Sequence, residues 1–332
     1  MPKKLLQVLI LTGGLMMEAF YSNTLCAQNL SHEQRDSSIQ NAKQALIDQV
    51  QKRGNLPYVS VEKQLDLIEQ LSSFELGEFL IARGGLNGYW THYVVSHPTK
   101  GRLTNLNTQG KPFHPFEAYL LNHAPSCLAT QQRFSLFKQQ IQKHIFEGCT
   151  LASIPCGLMG DLLDLDYSLV TTFTLNGIDL DAQTLLQAKS YAEEKGLLSH
   201  CHFFQKDAWE LHTYEKLDLI ASNGLSIYEK NDEKVVGLYR QFYHALKPGG
   251  LLITSFLTPP PAPGLQTEWN LSQVNPQDAL LQKILFVDIL DAKWQVYRKE
   301  EVVKAQLKEA GFSEVSILYD EAHIFPTAIA KK

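Results

Sequence analysis

Four short stretches of the sequence group residues that could hold a nucleoside. The first, Ser153-Ile154-Pro155-Cys156-Gly157-Leu158-Met159-Gly160-Asp161, follows an apolar run. A glycine there lets the backbone come close to a ligand, and Gly160 helps to start the next helix. The second, Gly177-Ile178-Asp179-Leu180-Asp181, sets an acid 22 residues beyond Gly157. That is close to the roughly 20 residues at which a carboxylate accepts both hydroxyls of a ribose. The third and fourth, Asp207-Ala208-Trp209 and Ser222-Asn223-Gly224, each follow a further apolar run, and Lys247-Pro248-Gly249-Gly250 precedes a fifth.

The elements that must position these residues follow from periodicity. Short apolar runs at Leu151–Ile154, Phe173–Leu180, His202–Lys206, Leu217–Ser222, Leu251–Leu257 and Val315–Tyr319 read as strands. Helical stretches at Asp181–Lys195, Lys230–Leu246 and Glu300–Ala310 lie between them, with Asp181 as a cap and Gly196 and Gly311 as stops. Alternation of this kind implies a mostly parallel sheet covered on both faces. A last strand, Thr327–Ala330, comes too soon after the turn at Asp320-Glu321 for a parallel crossover, so the closing pair is expected to be an antiparallel hairpin. Pro326 places the start of that strand at Thr327. Ligands of such sheets bind beyond the carboxyl ends of the strands, where all four stretches stand.

From Asn29 to Gly148 the pattern is helical. Ser60 is expected to cap one helix with Val61, Leu65, Ile68 and Leu71 on its buried face, ended by Gly84-Gly85. Leu86 to Tyr93 reads as a loop, and Phe134, Phe137, Ile141 and Ile145 share the face of a later helix. The expected organisation is a leader-like segment or mis-assigned start over 1–28, a helical cap over 29–148, and an α/β domain over 149–332 with a lid insertion at 258–299. That insertion opens on Pro259-Pro260-Pro261-Ala262-Pro263-Gly264 and carries Trp269, Phe286, Trp294, Tyr297 and Arg298. Long connections at the ligand face usually have a function, here building an acceptor pocket.

Composition excludes other classes. The 332 residues carry 30 Lys+Arg against 35 Asp+Glu, a net charge of −5, and 44% are hydrophobic. Such a chain buries a core, and it lacks the basic runs of a nucleic-acid binder. No apolar stretch approaches the roughly 18 residues of a membrane span. The five cysteines, Cys26, Cys127, Cys149, Cys156 and Cys201, show no Cys-x-x-Cys spacing, so neither a disulfide framework nor a zinc site follows, and no metal is expected. Lys3-Lys4, the apolar run Leu5 to Met17 and Leu25-Cys26-Ala27 have the parts of a secretory signal, although Gln7, Gly13, Gly14 and Glu18 interrupt or close the run. A start at Met16 or Met17 is the other reading. The remainder fits a cytoplasmic enzyme, with export as the alternative.

From Gly148 onward the sequence resembles the class I S-adenosylmethionine-dependent methyltransferases. The Gly loop, the acid ending the second strand, the Asp-Ala pair ending the third, the Lys-Pro-Gly-Gly turn, the helix end Ala310-Gly311-Phe312 and the closing hairpin come in that family's order. The resemblance implies a doubly wound α/β fold, a mostly parallel seven-stranded sheet with an antiparallel C-terminal hairpin, here preceded by a mainly helical region. It implies S-adenosyl-L-methionine as cofactor and methyl transfer by in-line displacement to a small-molecule acceptor. Asp179 would take the ribose hydroxyls, Asp207 the adenine amino group and the Ala208 amide a ring nitrogen. Leu180 would pack on the adenine. Ile154, Pro155 and Gly157 would lie along the methionine and ribose, and Asn223 near the reactive methyl. The sequence departs from the family where Ser153 and Pro155 stand at its usual acid and first Gly, and Pro155 brings no amide hydrogen. The cofactor's carboxylate still needs donors, and Arg133 offers a fork suited to it. Tyr89, Trp90 and Tyr93 could face a sulfonium.

No catalytic base is obligatory for such a transfer, since alignment alone is worth roughly 7–11 kcal/mol. Tyr228, Glu229 and His92 are the candidates, each with a plain structural reading beside it, capping or solvent contact for Glu229 and a backbone partner for His92. Arg298 could read an acidic acceptor or be a surface charge. Lys247 reads as turn chemistry, and Cys156 as a space-filling residue with no His partner in the neighbouring sequence. Two other functions remain open at this point. Pro155-x-Gly157-x-x-Gly160 matches a dinucleotide fingerprint with one substitution, as in an NAD(P)-dependent oxidoreductase. A protein that kept the fold only to bind a partner is the other.

Overall fold

The computed structural model describes residues 32–212, 216–261, 266–290 and 296–332. The leader-like segment, Ala262-Pro263-Gly264 and Trp294 lie outside the described residues. In chain order, six helices come first: α1 (His32–Arg53), α2 (Val61–Leu71), α3 (Glu75–Arg83), α4 (Gly88–Ser96), α5 (Gly101–Thr104) and α6 (Pro115–His123). Then α7 (Pro125–Gln142) leads into β1 (Cys149–Ser153), α8 (Gly160–Leu163), β2 (Phe173–Asp179), α9 (Ala182–Glu194), β3 (Cys201–Gln205) and β4 (Leu217–Ser222). The chain closes with α10 (Asp232–Ala245), β5 (Leu246–Ser255), α11 (Pro276–Lys283), α12 (Glu300–Glu309), β6 (Glu314–Leu318) and β7 (Thr327–Lys331).

These elements form two compact units, one of residues up to Leu128 together with Pro260–Trp294, the other of Ala129–Pro259 with Gln295–Lys332. In the first, the Ser60 hydroxyl accepts from the Lys63 N–H at 3.2 Å, as an N-cap should. The helix expected to run on to Gly84 instead stops at Leu71. There the Ser72 and Ser73 hydroxyls turn back onto the Glu69 carbonyl at 2.8 and 3.0 Å, offering the backbone a competing partner. A second helix, α3, then ends on Gly84 at φ 66°. Gly77 lets α3 approach the end of α2, because a Cβ there would lie 1.9 Å from the Leu71 carbonyl oxygen. Gly77→Ala is expected to destabilise this unit by more than about 2 kcal/mol, since backbone cannot yield as a flexible side chain does. Chemical unfolding followed by circular dichroism would measure it.

The stretch from Leu86 to Tyr93, expected as a loop, is largely helix. Asn87 caps α4 by accepting from the Trp90 N–H at 2.9 Å, and burial of Trp90, Val94 and Val95 outweighs the poor helix propensity of the run. The inserted segment completes this unit's core. Ile284, Leu285, Phe286, Ile289 and Leu290 pack with Leu67, Ile68 and Leu71. Polar ties reinforce it: the Ser126 N–H and hydroxyl both donate to Gln282 Oε1, at 2.9 and 2.8 Å. Buried Lys283 reaches both Asp288 oxygens at 2.9 Å and also donates to the Tyr58 hydroxyl.

The second unit is a seven-stranded sheet in the order β3-β2-β1-β4-β5-β7-β6. β1 to β5 run parallel, and β7 is antiparallel to both β5 and β6. The doubly wound dinucleotide fold has the order 3-2-1-4-5-6 without this hairpin, so the topology departs from the oxidoreductase alternative. One face packs on α10 and α12 through residues such as Val235, Phe242, Val303 and Leu307. The other packs on α7 and α9 through Phe137, Ile141, Ala188 and Ala192. The Lys-Pro-Gly-Gly turn proves to be part of β5, which pairs Leu246 with Leu217 and then shifts register to pair Leu251 with Leu219. Lys247 has more than turn chemistry: its Nζ donates to Asp218 Oδ2 at 2.7 Å, and the same oxygen accepts from the Thr150 N–H at 2.8 Å. Three strands are thereby tied at the end of the sheet away from the four nucleoside-type stretches. Among the described residues no helix is long and apolar enough to cross a membrane, and no group of His, Cys, Asp and Glu could hold a metal.

Candidate active site

Strand order reverses between β1 and β4, which are neighbours, so the crevice for a ligand lies beyond their carboxyl ends. The loop leaving β1 passes Ile154, buried in the core, and Pro155, joined by a cis peptide bond. It is then fastened to β2: the Cys156 N–H donates to the Ile178 carbonyl at 2.9 Å, and the Gly157 N–H to Asp179 Oδ2 at 3.1 Å. Gly157 adopts φ 50°, and a Cβ there would meet nothing within 4 Å. The loop therefore shows an open glycine face to whatever occupies the crevice.

Asp179 stands at the tip of β2. Its Oδ1 accepts from the Asp181 N–H at 3.1 Å. An ionised carboxylate has about four acceptor sites, so two backbone donors leave room for two hydroxyls. Burial pushes its pKa up, while the Asp181 and Gly157 amides pull it back. Leu180, partly exposed, follows on the rim. At the end of β3, Asp207 accepts from the Trp209 N–H at 2.9 Å through Oδ1, which shapes a single turn carrying buried Ala208. Asn223, after β4, accepts from the Ser255 hydroxyl through Oδ1 at 3.4 Å. The strands that carry Ile154, Pro155, Gly157, Asp179, Leu180, Asp207, Ala208 and Asn223 all end on this one rim.

Arg133 occupies an unusual place. It lies midway along α7, beside the face formed by Phe134, Phe137 and Ile141, and is 1% exposed. Its guanidinium sits 4.4 Å from the centre of the Phe325 ring, and its Nη1 lies 3.6 Å from where a Cβ on Gly224 would be. Nε and Nη1 find no hydrogen-bond partner among the described residues. No ion pair joins Arg133 to any carboxylate among the described residues. Burial lowers its pKa to about 10, opposed by Tyr228 and Asp320, so it carries its charge at neutral pH. Asp320 is itself held by the loop it anchors, accepting from the Ala322, Ile324 and Phe325 amides at 3.2, 3.1 and 2.6 Å. That brace fixes Phe325 under the guanidinium. A buried cation with unused donors costs several kcal/mol unless an anion joins it. Phe325 and Asp320 carry no signal in the sequence that would select them for this role.

The other candidates sort differently. Glu229 Oε1 accepts from the Asn231 N–H at 2.8 Å and Oε2 lies 3.8 Å from Lys234, so it organises the entry to α10. Tyr228 is half-buried and close enough to Arg133 to influence it. Arg298 is neither a surface charge nor available to an acceptor. It is buried and donates to Asp232 Oδ1, the Ser226 carbonyl and the Glu229 carbonyl at 2.8, 2.9 and 2.6 Å. Tyr89 and His92 belong to the helical unit, both on α4, where the Tyr89 ring meets Trp90 edge-on and Trp90 meets Tyr93 likewise. Cys156 is buried, and burial first, then Asp179 and Asp161, raises its pKa well above the ordinary thiol value, which suits space filling and not nucleophilic attack.

Comparison with known proteins agrees with this geometry. Residues 155–250 match a family described as a methyltransferase domain. The solved structure of a "possible exported protein" from Bordetella parapertussis is 37% identical, with a TM-score of 0.82 over 92% of this chain and 99% of that one. The sterol 24-C-methyltransferase of Pneumocystis carinii (strain B80) is 30% identical over 125 residues, 35% of this chain and 32% of that protein. The chain thus spans about a third of the length of that curated relative.

Proposed function

We propose, from the match of residues 155–250 to a methyltransferase domain, that this chain binds S-adenosyl-L-methionine and transfers a methyl group to a small molecule. The observation that carries the reading is Arg133, a buried guanidinium with two unused donors beside the β4 tip. A ligand with a carboxylate at one end and a ribose at the other satisfies Arg133 and Asp179 together. Along that axis the open face of Gly157 admits the sugar and sulfur, and Asp207 with the Ala208 amide takes the base. When bound, the cofactor supplies a methyl already activated on a sulfonium.

The residues then have simple tasks. Asp179 and Arg133 fix the two ends, Asn223 bounds the space near the methyl, and the walls exclude water from an in-line approach. Tyr228 is the candidate in the sheet unit for steering or deprotonating an acceptor. Isothermal titration with S-adenosylhomocysteine and, separately, with NAD tests the assignment. Saturable one-to-one binding of the first and none of the second is expected. The reverse result would return the oxidoreductase alternative, and binding of neither would leave only the partner-binding one.

We place the protein in the cytoplasm. The description of the Bordetella parapertussis relative favours export instead. Mass spectrometry of the natural N-terminus decides between them, and a mature start at Gln28 would establish export.

A further inference from the structure

We propose that Asp161, together with Ser153, receives the ammonium of the ligand's amino-acid end, an inference that rests on the reading of Arg133 as the carboxylate site. Asp161 is a buried carboxyl, 4% exposed, with no ion-pair partner among the described residues. Its Oδ2 accepts from the Ser153 hydroxyl at 2.8 Å and its Oδ1 from the Leu162 N–H at 3.1 Å. Two of its roughly four acceptor sites are thereby used and two are left. Ser153 is the last residue of β1 and stands in register with Ala221 of β4. Three residues beyond Ala221 comes Gly224, beside which Arg133 ends.

A lone carboxyl, carried by α8 and tied to the end of β1, and a lone guanidinium, carried by α7 and ending beside the residues that follow β4, therefore flank the switch point, and among the described residues they form no ion pair with each other. An α-amino acid carries the complementary pair, an anion and a cation on one carbon. One charge alone would require only one of these two groups. Burying a charged guanidinium and ionising a buried carboxyl are both costly without a partner, and a zwitterion offsets both costs in a single binding event.

Burial raises the Asp161 pKa to about 7, with Asp164 adding to the rise and the Ser153 and Leu162 donors opposing it. The groups around it do not supply a cation. Cys156 is a buried thiol, Tyr167 donates its hydroxyl to the Leu162 carbonyl, and Asp164 is held by Lys195 and Tyr191. In the free protein Asp161 thus keeps its proton up to about pH 7, and an ammonium favours the ionised form. Binding of an amine-bearing ligand must then expel a proton below that pH, so its affinity falls as pH falls through 7. Asp179 also has a raised pKa, but it meets the ribose and affects every nucleoside alike.

The test compares S-adenosylhomocysteine with its deaminated analogue, in which hydrogen replaces the amino group, by isothermal titration. The wild-type chain is expected to prefer the amine-bearing ligand by about tenfold or more, the scale of one charged hydrogen bond. Asp161→Asn should abolish that preference while binding the deaminated analogue as the wild type does. An unchanged preference in the variant overturns the proposal. Should the variant fail to fold, the wild type alone decides. Between about pH 8 and about pH 5.5 its preference should shrink by about tenfold, and a preference constant with pH overturns the inference. If the wild type binds the two ligands equally well, the nucleoside reading stands and the role of Asp161 falls. If it binds neither, the nucleoside reading itself falls.

Discussion

Asp179→Ala is expected to weaken S-adenosylhomocysteine binding by about 100-fold. Two hydrogen bonds from ribose hydroxyls to a carboxylate are each worth about 1.5–3 kcal/mol, and the smaller value for both gives about 3 kcal/mol. The substitution also frees the Gly157 and Asp181 amides that Asp179 now holds at 3.1 Å each. The loop leaving β1 loses its side-chain anchor to β2 while the Cys156 to Ile178 bond remains. A nucleoside without the amino-acid end, 5′-methylthioadenosine, should lose affinity by a similar factor, because it has the same sugar. Titration calorimetry on both ligands is the measurement. Affinities within twofold of the wild type would remove the ribose from Asp179.

Arg133→Met should have an opposite effect on stability and on binding. The guanidinium is buried and, among the described residues, has no paired carboxylate, so an apolar side chain of similar length removes a desolvation cost. Replacing buried ionic groups by apolar ones is often neutral or stabilising by about 1–4 kcal/mol. Some of that gain offsets the lost contact with the Phe325 ring, worth about 0.5–2 kcal/mol. The melting temperature is therefore expected to hold or rise, as differential scanning calorimetry would record. S-adenosylhomocysteine affinity should fall by about 100-fold, on the scale of a bidentate charged contact, while 5′-methylthioadenosine binds as before. A marked loss of stability with binding intact would make Arg133 a strut for the loop of Asp320 and Phe325 and not a ligand site.

The sheet was legible because its strands are short apolar runs that nothing else in the chain imitates, and Leu217–Ser222 has the same ends in sequence and structure. β5 was read as starting too late, since Lys-Pro-Gly-Gly has every mark of a turn. Only the register against β4 reveals that the chain pairs, bulges and pairs again. In the helical unit, α4 was missed because its composition disfavours a helix and its stabilisation is burial of Trp90, Val94 and Val95, which is a tertiary fact. The break between α2 and α3 turns on two serine hydroxyls that could equally have faced water.

For the site, Asp179 and Asp207 were legible from spacing and order. The state of Arg133 was not. A basic residue next to an apolar helical stripe usually reaches solvent, and its burial depends on Phe325 and Asp320, nearly two hundred residues away in sequence. Asp161 was visible at the end of the Gly loop, but its tie to Ser153 needs the turn that α8 makes. Arg298 reads as a helix-terminal charge, and only the structure shows its three acceptors.

The helical unit is stitched from two stretches, one before β1 and one after β5. On the ribosome, Leu67, Ile68 and Leu71 emerge long before Ile284, Leu285 and Phe286, their neighbours in the finished core. All five parallel strands must be synthesised in between. The nascent helices therefore wait with an uncovered apolar side, the condition under which chains depend on chaperones. A fragment cut at Leu128 would keep that wound permanently and would be no independent domain.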